Sequence, residues 1–136
     1  MTRARISADG TSLSEVLPRE PKAVSAARHV VRDALGDWEL TELTEDAEVV
    51  ISELATNAVL HARMDSIRVT VTRIDEHTVR LAVIDRSRDL PVHRSPNAED
   101  MRGRGMSIVD ALTWSWGTDR LPWGKRVWAE LRDCQR

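Results

Sequence analysis

The chain has no tyrosine, no phenylalanine and one cysteine, Cys134, among its 136 residues. A single thiol excludes an internal disulfide and any metal site built on paired cysteines, and it suits a reducing compartment. Apolar runs are only a few residues long, far short of the roughly 20 that cross a bilayer. The opening Met1-Thr2-Arg3-Ala4-Arg5 leads into no signal-peptide apolar region. A soluble, cytoplasmic protein with no membrane attachment is expected. Charge of one sign is also lacking, since 20 Lys and Arg face 22 Asp and Glu for a net charge of -2. No overall field is left to hold a phosphate backbone by counterion release, so nucleic acid is not an expected partner. The aromatic content is five tryptophans, four of them beyond residue 113. Hydrophobic packing, rather than base stacking, is the expected use of tryptophan at that density.

What is present suits one folded domain. Hydrophobic residues make up 41% of the chain and charged residues 31%, enough for a core at a length where single cores are the rule. Residues 1–17 mix charge with small polar groups and read as a flexible N-terminal tail, with an edge strand at its end; residues 18–136 read as a single domain. Pro21 stands where a first helical turn tolerates proline. Val24, Ala27, Val30, Val31, Ala34 and Leu35 then recur at helical spacing up to Gly36, which predicts a helix over 22–35. Thr41 or Thr44 can cap a second helix with the stripe Ala47, Val50, Ile51, Leu54 and Ala58, and Glu45, Asp46 and Glu48 lie near its positive end. The period then changes to two: Ile67, Val69 and Val71 alternate with polar residues, as do Val79, Leu81 and Val83 after a turn at Asp75-Glu76-His77. Residues 86–104 lose all periodicity and form a loop of a length usually reserved for lids and binding loops. A short helix from Met106 to Leu112 follows. A strand holding Trp114 and Trp116, a turn through 119–124 and a last strand through Val127, Ala129 and Leu131 complete the chain. This order predicts an α+β two-layer sandwich, with helices covering one face of a sheet.

Three groups can carry chemistry. Glu53, Asn57 and His61 are spaced i, i+4 and i+8, so on a helix they form one polar ridge beside the apolar Leu54 and Ala58. An Asn oxygen is a suitable hard ligand for Mg2+, which keeps most of its waters and binds through few protein groups plus phosphate oxygens; Glu53, one turn away, can activate a hydroxyl or water. The plainer reading is a solvated helix face. Gly103-Arg104-Gly105-Met106 stands at a loop-to-helix junction, where residues without Cβ let backbone N–H groups approach an anion at a positive helix end. A hinge is the plainer reading there. Asp85 ends an apolar strand, where a carboxylate needs a hydrogen-bond donor to offset desolvation, such as an adenine amino group. A turn-initiating Asp is the alternative. The four histidines, His29, His61, His77 and His93, have no metal-ligand spacing.

These groups, in this order, resemble the bacterial anti-sigma-factor serine/threonine kinase type of ATP-binding protein, within the superfamily that also holds histidine kinases, gyrase and Hsp90. The stretch from Glu53 through Asn57 to His61 is similar to the N box, Val83 to Ser87 to the first glycine box, Gly103 to Val109 to the second, and Gly124 to Leu131 to the closing strand motif. The resemblance spans about Pro21 to Leu131. It implies a Bergerat-type fold with a mixed, mostly antiparallel sheet, and ATP and Mg2+ as cofactors. Asn57 would coordinate Mg2+, Glu53 would act as general base and Asp85 would bind the adenine amino group. Gly103, Arg104, Gly105 and Met106 would surround the phosphates under a lid formed by about 86–102. The implied partners are a sigma factor and an anti-sigma-factor antagonist protein, and a homodimer is one arrangement it allows. Two positions depart from the pattern. Asp85-Arg86-Ser87-Arg88-Asp89 has no glycine, and Arg126 stands in the closing motif where a Thr or Ser usually assists adenine binding, so this bulky cation is expected to reshape that side of the pocket. Two functions follow: a kinase that phosphorylates the antagonist protein, or a non-catalytic protein-binding module with a degenerate or purely regulatory nucleotide site.

Overall fold

Alternation at Ile67, Val69 and Val71 gives residues Ser66–Asp75 a strand with one apolar face, and Val79, Leu81 and Val83 do the same for Thr78–Arg86. The computed structural model describes residues 5–6, 9–61, 65–86 and 104–133. In chain order its elements are β1 (Arg5–Ile6), β2 (Ser12–Pro18), α1 (Ala23–Asp37), α2 (Thr44–His61), β3 (Ser66–Asp75), β4 (Thr78–Arg86), α3 (Arg104–Leu112), β5 (Ser115–Leu121) and β6 (Gly124–Arg132). A short 3-10 turn at Thr41–Leu43 leads into α2. The strands form one sheet in the order β1-β2-β3-β4-β6-β5, and every pairing among the described residues is antiparallel. The α+β architecture is the expected one, with none of the parallel pairing that a mixed sheet would contain among these residues.

Register explains where the core lies. Ile67, Val69 and Val71 of β3 stand opposite Asp85, Val83 and Leu81 of β4, and these in turn stand opposite Lys125, Val127 and Ala129 of β6. One face of the sheet is therefore an almost unbroken apolar layer that ends in a charged pair. It packs on Val30, Val31, Ala34 and Leu35 of α1, on Val50, Ile51, Leu54 and Ala55 of α2, and on Met106 and Val109 of α3. Burying each large aliphatic side chain stabilises the fold by about 1.5–3 kcal/mol. Among the described residues, no helix is long and apolar enough to cross a membrane.

Three expectations change. Residues 12–17, expected within the tail, belong to the sheet: β2 pairs with β3 from Ser12 opposite Thr72 to Pro18 opposite Ser66, and it buries Leu13 and Leu17. Two leucines four apart on one strand face join the core, and the pairing with β3 supplies the rest. Gly36 does not end α1, which runs to Asp37. The chain reverses at Glu39, whose φ of 57° lies in the left-handed region, while the Leu40 N–H bonds to the Leu35 carbonyl at 2.9 Å. The tryptophans do not fill the core. Trp38 and Trp116 pack at its margin and donate their indole N–H groups to the Gly10 carbonyl and to Asp110 Oδ1. Trp114 and Trp123 are exposed, and Trp128, at an even position of β6, lies on the opposite face from Val127 and Ala129.

Candidate functional site

The C-terminal half of α2, the start of α3, the end of β4 and the start of β6 bring the predicted groups together. Glu53, Asn57 and His61 occupy successive turns of α2, because the buried Leu54 and Ala58 turn the neighbouring stripe inward. Glu53 and Asn57 are half-buried and His61 is exposed. The Asn57 Nδ2 donates to Met106 Sδ at 3.4 Å. That contact turns the amide hydrogens toward the sulfur and leaves Oδ1 as the hard ligand of the pair. Met106 itself is 2% exposed, so its side chain is a core group seating α3 against α2, and its backbone N–H is what remains for an anion. Arg104 and Gly105 form the first turn of α3. Gly103 and all of the expected lid of about 86–102 beyond Arg86, the last residue of β4, lie outside the described residues.

Asp85 is the most constrained group. It continues the inward series Val79, Leu81 and Val83, is 7% exposed, and has Ile67 of β3 opposite it on one side and Lys125 of β6 on the other. No described residue donates a hydrogen bond to its carboxylate. Burial pushes the carboxyl above the ordinary aspartate value, and the nearby charges of Lys125 and then His61 pull it back. A buried acceptor without a donor is costly unless a ligand completes it. This is the arrangement an exocyclic amino group would satisfy, so the residues present fit the adenine end of ATP.

Arg126 does not shape the pocket as expected. Inward positions of β6 are the odd ones, with Val127, Ala129 and Leu131 buried, so Arg126 lies on the outer face. There its Nε and Nη2 bond to Asp119 Oδ2 at 3.0 and 2.7 Å. The cation that faces Asp85 is Lys125, a residue that counting back by twos from Val127 would have found. Among the described residues, no three His, Cys, Asp or Glu side chains converge to hold a metal ion. An ion beside Asn57 would therefore rely on phosphate oxygens for further ligands.

The profile of one family, described as the histidine kinase-like ATPase domain, matches residues 17–131. The chain belongs to that family. Membership of the histidine kinase-like ATPase domain family implies ATP binding. No curated protein matches the chain significantly.

Proposed function

We propose that this protein is an ATP- and Mg2+-dependent regulatory serine/threonine kinase of the anti-sigma-factor type, which phosphorylates an antagonist protein and thereby controls a sigma factor. The observation that carries the nucleotide part is Asp85, a buried carboxylate with no hydrogen-bond donor among the described residues, on the same side of the sheet as the Glu53 and Asn57 ridge. The outward turn of Arg126, held by Asp119, keeps this bulky cation off the side of the sheet that holds Asp85 and supports an accessible base pocket. Asp85 would accept from the adenine amino group, Asn57 Oδ1 would hold Mg2+, and Gly103, Arg104, Gly105 and Met106 would surround the phosphates. Bound ATP supplies the phosphoryl group. Glu53 would take the proton from the acceptor hydroxyl as its oxygen bonds to the γ-phosphorus and the bond to the β-phosphate oxygen breaks, releasing ADP.

Titration calorimetry of ATP, with and without Mg2+, into wild type and Asn57→Ala tests the site. The expected result is magnesium-dependent binding that Asn57→Ala weakens at least about tenfold. Glu53→Ala then tests the chemistry: phosphotransfer to the antagonist is expected to fall by about 100-fold or more while partner binding is kept. Wild type that binds no ATP at millimolar concentration would overturn the kinase and leave the partner-binding module.

A further inference from the structure

Lys125 stands directly opposite Asp85 in the β4–β6 ladder, and both point to the side of the sheet that carries the helices. The groups facing Asp85 from the surrounding described elements are Lys125 from β6, His61 from α2 and the uncharged Ile67 from β3. Lys125 is therefore the β6 cation set against a carboxylate that burial would otherwise favour in its neutral form. The protonation state matters for which base can be recognised. An ionised carboxylate only accepts hydrogen bonds, whereas a protonated one also donates. Adenine offers an amino group at the position where guanine offers a carbonyl. An acceptor-only Asp85 would pair with the first and repel the second, while a neutral Asp85 would accommodate either.

We infer that Lys125 is a positioning residue for purine selection, holding Asp85 as an acceptor so that the site takes ATP and refuses GTP. The inference rests on the nucleotide-binding reading of the site and adds to it a residue and a selectivity. Arg126, its immediate neighbour, serves as an internal control, because it lies on the other face of the same strand in an ion pair with Asp119.

The test uses Lys125→Met, which keeps the stem and deletes the charge, Lys125→Arg, which restores the charge, and Arg126→Met. In the free protein, the carbon-13 resonance of the Asp85 carboxyl is followed against pH. Its midpoint is expected to rise in Lys125→Met and to stay near the wild-type value in the other two. Binding of ATP and GTP is then measured by calorimetry at pH 6 and pH 8. Lys125→Met is expected to lose on the order of tenfold in ATP affinity at pH 6 and less at pH 8, with the ATP-to-GTP preference narrowing and Lys125→Arg restoring it. A Lys125→Met protein that binds ATP, titrates Asp85 at the wild-type midpoint and keeps the wild-type preference overturns the inference alone. Wild type that binds neither nucleotide overturns the nucleotide reading, and the selection step falls with it. A merely structural lysine would lower both affinities equally at both pH values, and that result also counts against the proposal.

Discussion

The two faces of the β4–β6 ladder treat charge in opposite ways. On the outer face, Arg80 pairs with Glu130 at 2.6 Å and lies over the Trp128 ring at 5.0 Å, and Arg126 pairs with Asp119 at 2.7 Å. Both of these anions meet their cations across neighbouring strands at the sheet surface, where such pairs contribute about 0–1 kcal/mol. On the inner face, one residue along, Asp85 is buried with Lys125 opposite and no described hydrogen-bond donor. Charges are completed where leaving them open would cost little, and one is left incomplete where the cost is high. A fold tolerates that only where something else completes the group, so the difference between the faces points to the site more directly than the burial of any single residue.

The largest expected break in the comparison is Leu81→Ala. Leu81 is fully buried between Val71 and Ala129 on the inner face, and its truncation is expected to cost about 2–5 kcal/mol in urea denaturation. Arg80→Ala, the adjacent outward position, is expected to cost about 1 kcal/mol in the same measurement, since it removes a part-buried ion pair with Glu130 and a ring contact but opens no cavity in the core. Equal losses would mean that the faces are not distinct.

Asp85→Asn sharpens the comparison by separating function from stability. ATP affinity is expected to fall by on the order of 10- to 100-fold, the usual worth of a hydrogen bond to a charged group. The stability change has a definite sign. The folded value of Asp85 is raised above 3.8, so the native state holds its proton more firmly than the unfolded chain does. Its contribution to stability is fully present below the unfolded value and is lost as pH rises through the folded value. The variant has no such loss. Its stability relative to wild type should therefore increase from pH 4 toward neutrality, measured as the difference in urea midpoint at each pH. The lowered carboxyls of Glu48 and Asp75 act alike in both proteins and cancel in that difference.

Sheet and helices were legible because their periods are clean. Val69 and Val71, Leu81 and Val83, and Val50, Ile51 and Leu54 all face the core as their spacing requires. β2 was underestimated because its apolar face has only Leu13 and Leu17, with the half-buried Glu15 between them; its place depends on pairing with β3, a partner about 60 residues away in sequence. The strand in β5 runs past the expected turn at Asp119 to Leu121, because a polar sequence carries no alternation of its own and takes its extent from β6. At the site, the ridge of Glu53, Asn57 and His61 followed from helix geometry alone. The roles of Lys125 and Arg126 did not, because motif comparison weighs which residue is present, while strand parity decides which face it reaches. At Met106 the motif does not say which atoms serve the site: packing puts its side chain in the core, so only its backbone can face a phosphate.

A smaller effect belongs to the outer face. Gly117 stands opposite Trp128, and a Cβ there would lie 2.9 Å from Trp128 Cζ2, closer than side chains pack. Gly117→Ala is expected to lower stability by about 1–3 kcal/mol through the forced shift of that ring. In the Trp128→Ala background the same substitution should cost appreciably less, giving a measurable coupling between the two positions. Additive losses would mean that the ring does not bear on β5.

The smallest effect is expected at Arg126, and it is the most informative about the strand. Arg126→Ala removes an ion pair whose two side chains are 39% and 43% exposed, so a loss below about 1 kcal/mol is expected in denaturation. ATP affinity should stay within about twofold of wild type, because Asp119 holds the guanidinium on the face away from Asp85. Lys125→Met, one residue earlier, should alter nucleotide binding with its characteristic dependence on pH. The two adjacent cations thus serve as a parity test of β6. If Arg126→Ala reproduced the nucleotide phenotype and Lys125→Met did not, the register Asp85 to Lys125 would be wrong by one residue, and a one-residue slip carries every side chain of a strand to the other face.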